Sequence, residues 1–153
     1  MAAKQSFADL LGLKSSNAQA LQFLGEAAYL WMYVGQYDKA SKVFEALSIL
    51  APNDPVGYLG CAEIMLNQGK FKESEKAAQQ ASQAANIARG PLAFAHVLRG
   101  QALMGQSKAK DAEKAWQKAC EIDPDGATAA TAKARIEIAR LCGKLPAAAA
   151  AAK

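Results

Sequence analysis

The sequence predicts an all-α fold: a solenoid of three helix–turn–helix repeats closed by a C-terminal capping helix. Composition is the first observation behind this. Of the 153 residues 36 are alanine, against 11 glycines and 7% aromatics. Alanine enters a helix at the lowest cost and glycine at one of the highest, so this balance favours closely packed helices. Length is the second, because a chain of this size buries roughly two-thirds of its unfolded surface and needs no disulfide or structural metal. The third is internal self-similarity, which decides the architecture.

Ala28, Trp31, Gly35, Tyr37, Ala40, Phe44 and Leu47 recur 34 residues later as Ala62, Met65, Gly69, Phe71, Ser74, Ala78 and Ala81, nearly all keeping size and polarity. A third copy follows at a step of 38, as Gly100, Leu103, Ala112, Trp116 and Ala119, with Pro124 standing 72 residues after Pro52. The four extra residues fall near 87–91, where Gly90-Pro91 is expected to break the helix.

The elements follow in order. Residues 1–16 form an N-terminal segment in which Phe7, Leu10, Leu11 and Leu13 predict a short apolar helix, able to fold back or engage a partner. Residues 17–145 form the repeat domain, with helices predicted over 18–34, 37–50, 54–67, 71–87, 92–105, 108–122 and 127–141. Asn17 and Asp54 can cap helix starts, and Pro52, Pro91 and Pro124 mark ends or beginnings. The second repeat has Asn86 where its closing proline would stand, so its second helix is expected to run long. The third repeat is the least regular: Arg99 precedes the crossing glycine, and the turn Gln106-Ser107-Lys108-Ala109 lacks a glycine and an aromatic. The seventh helix, with Ile136, Ile138, Ala139 and Leu141, has no partner and reads as the cap of a solenoid. The alanine-rich tail, 146–153, is expected to be frayed helix or disordered.

Several function classes are set aside on chemistry. Cys61, Cys120 and Cys142 are odd in number and far apart, which suits neither a disulfide framework nor a zinc site and points to a reducing cytosol. His96 is the single histidine. Gly100–Gly105 has the glycine spacing of a phosphate loop, but Gln106 replaces its lysine and no strand precedes it. Glu73 and Glu75 lie two apart on a helix and face different ways. No catalytic residues, metal or cofactor are assigned. The start has no secretory-signal pattern, and the longest internal apolar run, 27–34, falls far short of a membrane span. The net charge of +4 sits in the second half, where 11 basic residues face 6 acidic ones. Lys108, Lys110, Lys114 and Lys118 alternate with Asp111 and Glu113, the pattern of a solvated helix face, and no nucleic-acid partner is assigned.

The period, and the order of small, aromatic and turn-glycine positions in Gly35-Gln36-Tyr37-Asp38-Lys39-Ala40 and Gly69-Lys70-Phe71-Lys72-Glu73-Ser74, resemble the tetratricopeptide repeat. Packing explains the pattern. Ala28, Ala62 and Gly100 are expected where the first helix (A) of each repeat is crossed by the second (B), answered by Ala40, Ser74 and Ala112. Trp31, Met65, Leu103, Phe44 and Trp116 would fill the layers between.

In such repeats the A helices line a concave groove. The register assigns to it Tyr29, Met32, Tyr33, Leu59, Glu63, Leu66, Asn67, Phe94, Val97, Leu98, Gln101 and Met104, with Gln22, Gly25, Glu26, Val56 and Gly60 beside them. About half are expected to double as ordinary helix contacts. A groove of this composition suits an apolar partner. Tetratricopeptide adaptors that clamp acidic chaperone tails use basic and amide residues on this face. The corresponding places here hold Gly25, Tyr29, Gly60, Phe94 and Leu98, which disfavours a carboxylate clamp.

The stretch from Tyr33-Val34-Gly35-Gln36-Tyr37 through Phe44-Glu45-Ala46-Leu47, continued by Ser48–Asp54 and Gly57-Tyr58-Leu59-Gly60, is similar to the first repeat of the translocator chaperones of bacterial type III secretion. The resemblance covers residues 20–123. It implies a cytoplasmic, bacterial, non-catalytic chaperone. Its partner would be a secreted translocator or needle subunit, with a second small helical chaperone in the needle branch. Stable membrane insertion is not expected, and a homodimer is compatible. The long helices after Ala84 and the alanine-rich end depart from the translocator chaperones, which makes the needle branch a rival of equal standing. The alternative is a self-assembling or adaptor scaffold without a secretion client.

Overall fold

In the computed structural model the described residues, 18–146, form seven helices. These are α1 (Ala18–Tyr33), α2 (Tyr37–Leu50), α3 (Val56–Asn67), α4 (Phe71–Ser82), α5 (Arg89–Gly105), α6 (Ala109–Ile122) and α7 (Ala127–Leu141). The helix predicted around residues 7–13, the Asn17 cap and the tail after Pro146 lie outside the described residues. Each helix packs on the next, and α1, α3, α5 and α7 also touch in succession, forming one layer of A helices with α2, α4 and α6 behind it. This is the tetratricopeptide helix–turn–helix solenoid.

Two boundaries differ from the predicted ones by three residues or more. The fourth helix ends at Ser82, not near residue 87. Ala84 turns into the core, and the Asn86 amide donates to the Asn53 carbonyl, tying this connection to the one before it (3.0 Å). The fifth helix begins at Arg89, so Gly90-Pro91 lies in its first turn rather than before it. A proline there costs little, because the first four amides of a helix have no intrahelical acceptor to lose. Pro55, not Asp54, occupies the N-cap of the third helix, and Asp54 supports the start from one residue further back, its Oδ1 accepting from the Val56 amide at 2.9 Å.

The crossing positions behave as their size requires. Ala28, Ala40, Ala62, Ser74 and Ala112 are wholly buried. Ser74, the one polar member, donates its hydroxyl to the Ala62 carbonyl across the crossing at 2.8 Å. Phe44 lies against Gly60 and Trp116 against Gly100, each where a Cβ would collide with the ring. The Trp116 indole N–H is satisfied by the Val97 carbonyl at 3.2 Å. One core cluster gathers around Phe44, Leu59 and Ile64, and a second around Val97, Trp116 and Ile136.

The turns repeat more faithfully than the sequence suggests. Gly35, Gly69 and Gly143 follow α1, α3 and α7 in the left-handed region at φ +80°, +73° and +68°, and Ser107 does the same after α5 at +62°. All four turns share one bonding pattern, in which the next residue's amide reaches back to Trp31, Met65, Leu103 or Ala139. Arg99, out of pattern in sequence, sits within ion-pair distance of Glu75 at 3.8 Å, and Gln106 donates to the same carboxylate at 2.8 Å. Arg140 closes the far end by pairing with Glu113 on α6 (2.9 Å) and Glu137 (2.6 Å).

Candidate partner-binding groove

The A-helix layer presents one position from each helix in a row. Tyr29, Glu63 and Gln101 occupy it at steps of 34 and 38 residues, and Arg135 on α7 continues it after a further 34. The structure links members of the row directly. Glu63 is close enough to Tyr29 for its charge to act on the phenol, and the Gln101 amide lies against the Arg135 guanidinium of α7, whose donors suit the amide oxygen rather than its NH2 group.

The twelve predicted groove residues divide into two sets. Met32, Leu59, Val97 and Leu98 are between 2% and 7% exposed and belong to the core clusters, so the expectation that they face a partner is corrected. An A helix turns a wide apolar stripe toward its neighbours, and positions flanking the outward row fall within that stripe. Tyr29, Glu63, Leu66, Phe94, Gln101 and Met104 are partly exposed, while Tyr33 (79% exposed) and Asn67 stand in solvent.

Tyr29 is held rigidly. Its ring meets Phe44 edge to face, with centroids 4.9 Å apart at 69°. Beside it opens a cleft of about 660 Å³ among α1, the end of α2 with the connection that follows, and the start of α3, lined by Gln22, Tyr29, Leu47, Pro52, Val56 and Asn86 among others. At the other end a recess of about 190 Å³ is formed by Gln101 and Met104 with Arg135, Ile138 and Cys142 of the capping helix and its turn. The contribution of α7 was missing from the sequence reading. The signal for it is the 34-residue step from Gln101 to Arg135, which carries the register past Pro124.

The electrostatics of the row follow from burial. Burial raises the Glu63 carboxyl to about 7, and its Oε2 is enclosed without a hydrogen-bond donor among the described residues. Burial, then the nearby Glu63, pushes the Tyr29 phenol up, so it stays protonated at any physiological pH. Burial raises Cys61 to about 11, which keeps it a thiol, and all three cysteines are free. Burial lowers Arg135 from its ordinary value.

Outside the groove, α1 leaves Phe23, Leu30 and Val34 exposed at helical spacing, with Ile49 of α2 also exposed. On α6, Lys114 pairs with Asp111 (3.9 Å) and Lys118 with Glu121 (3.1 Å), both in solvent. Among the described residues no helix is long and apolar enough to cross a membrane.

No protein-family model matches the chain, and no curated protein matches it. Solved structures do. The type III secretion translocator chaperone SycD of Yersinia enterocolitica superposes with a TM-score of 0.72 at 18% identity, covering 84% of this chain and 98% of that one. A type III secretion complex from Aeromonas hydrophila gives 0.72 at 17% identity, over 92% and 91% of the two chains. The first tetratricopeptide domain of Spaghetti (RPAP3), bound to the HSP90 peptide SRMEEVD, gives 0.66 at 24% identity, over 82% and 96%. The fold is therefore that of tetratricopeptide domains, and it resembles that of type III secretion chaperones.

Proposed function

We propose that this chain is a non-catalytic, cytoplasmic chaperone of a bacterial type III secretion system, gripping an apolar segment of a secreted subunit in the groove of its A helices. The observation that carries the reading is the open wall of that groove. Tyr29, Leu66, Phe94 and Met104 keep apolar surface accessible on stacked helices, and Tyr29 also borders a cleft large enough for several side chains. Each apolar side chain taken fully out of water contributes roughly 1.5–3 kcal/mol before ordering costs are subtracted. A translocator or needle subunit has such a face to hide until export. The needle branch, in which a second small helical chaperone would share the subunit, stands beside the translocator branch.

An acidic peptide tail fits this groove poorly. The places where clamp residues would stand hold Gly25, Tyr29, Gly60, Phe94 and Leu98, and the centre of the row is the carboxyl of Glu63. The similarity to the HSP90-peptide-bound domain is one of fold, without the charges that a tail such as SRMEEVD calls for.

Co-expression with candidate secreted subunits, followed by size exclusion and mass spectrometry, tests the proposal. A stoichiometric complex is expected, weakened by Tyr29→Ala and Leu66→Ala. Because Tyr29 also supports Phe44, the exposed Tyr33→Ala is the arm in which lost binding cannot be lost folding. A chain that retains its partner in all three variants would contradict the groove as the site.

A second reading, a self-assembling scaffold, has one specific observation in its favour: the Phe23, Leu30 and Val34 stripe on the outer side of α1. It predicts concentration-dependent association by light scattering that a Leu30→Glu substitution abolishes.

A further inference from the structure

The A-helix row shows how this groove treats an acceptor. On α5 the Gln101 oxygen is filled from within the chain, by the guanidinium that Arg135 extends from the next A helix. On α3 the same register position is Glu63, a stronger acceptor, and no described residue donates to its Oε2. None of the ion pairs among the described residues involves Glu63, and its Oε2 is enclosed with no donor. A carboxylate oxygen sheltered from water yet lacking a donor is out of balance, because its solvation has been removed without replacement. Its surroundings are those of a binding site rather than of a closed core. Tyr29 stands beside it, Tyr33 is in solvent one turn further on, and Leu66 lies three residues along the same helix.

Tyr29, whose ring meets Phe44 edge to face, makes no hydrogen bond to Oε2. The complement of an enclosed carboxylate flanked by aromatic and aliphatic walls is a long cationic side chain. Its alkyl stem packs on those walls while its head meets the carboxylate from the side on which Glu63 is partly exposed. We propose that Glu63 is the anchor for one lysine or arginine of the bound segment, so that the segment this groove selects is a basic residue flanked by apolar ones. The inference rests on the groove reading above and adds to it a charge specificity that apolar burial alone does not supply.

The test selects a phage-displayed library of random twelve-residue peptides on the purified wild-type chain and, in parallel, on Glu63→Gln. That variant keeps the side chain's shape and removes only its charge, and its fold is verified by circular dichroism. The wild-type pool is expected to converge on a lysine or arginine at one fixed position between apolar residues, and the Glu63→Gln pool to lose that position while keeping the apolar ones. A synthetic peptide from the wild-type pool should bind Glu63→Gln about tenfold more weakly, the effect of one charge-assisted hydrogen bond. Its basic-to-norleucine analogue should bind both proteins alike. A wild-type pool with apolar positions and no basic one, or a basic position that survives in Glu63→Gln, would overturn the Glu63 anchor and leave the apolar groove standing. A wild-type pool with no shared pattern would overturn the groove reading and the anchor with it.

Discussion

Trp116 packs against Gly100 so closely that a methyl group at residue 100 would enter the space of its indole, whose N–H is tied to the Val97 carbonyl. The third repeat is therefore locked by a bulky side chain on α6 meeting an absent one on α5. Gly100→Ala must push that ring away, at about 2–3 kcal/mol despite the better helix propensity of alanine. Gly90→Ala is the control: nothing stands near its place, and the better helix propensity of alanine is offset by the crowding of Pro91 on the Cβ of the residue before it, so the change should be nearly neutral, within about 0.5 kcal/mol. Urea unfolding of the two variants checks the pair, and equal effects would refute the packing account.

The left-handed conformation of Ser107, shared with Gly35 and Gly69, carries a cost that glycine would not. Ser107→Gly should raise stability by about 0.5–1 kcal/mol and Gly69→Ala should lower it by about 1 kcal/mol or more. Thermal unfolding distinguishes these outcomes from the reverse order that helix propensity alone would give.

Ser74 holds its crossing by a buried hydrogen bond to Ala62, yet the equivalent places in the other repeats are Ala40 and Ala112. Ser74→Ala should therefore cost only about 1 kcal/mol, because the removed hydroxyl leaves behind a carbonyl that still serves its own helix. A loss above about 3 kcal/mol would mean that the second repeat depends on this bond in a way its neighbours do not.

Glu63 makes stability depend on pH in a direction opposite to most carboxylates. Its folded-state value of about 7 lies above the ordinary 4.5, so between these the folded chain binds more protons than the unfolded one. Its contribution is greatest below pH 4.5 and is lost as pH rises through 7. Removing the charge by Glu63→Gln should leave stability at pH 5 nearly unchanged and raise it at pH 8 by roughly 1–2 kcal/mol, after allowing for partial solvent exposure. Melting curves across this range check the sign, and a variant less stable than wild type at pH 8 would contradict it.

Much of the architecture was legible in the residues because one periodic constraint governs it. Small residues at 28, 40, 62, 74 and 112 can serve only where helices cross, and all are buried there. Helix ends were harder. The fourth helix stops at Ser82 because a long-range bond from Asn86 to Asn53 competes with continuing the helix, and no local propensity encodes that. The groove was legible in part. Register assigned Tyr29, Glu63 and Gln101 to one row, but it could not separate Leu59 or Val97, which turn inward, from Leu66, which does not. Nor does a residue list show that Gln101 is already engaged by Arg135 while Glu63 stands without a donor.

The most direct test of the groove as the client site is hydrogen-exchange mass spectrometry on the co-purified complex, compared with the free chain. New protection is predicted in α1, α3 and α5 around Tyr29, Glu63 and Gln101, with α2 and α6 unchanged. Protection confined to the outer stripe of α1, or spread over the B helices while the A-helix row exchanges as before, would contradict the account.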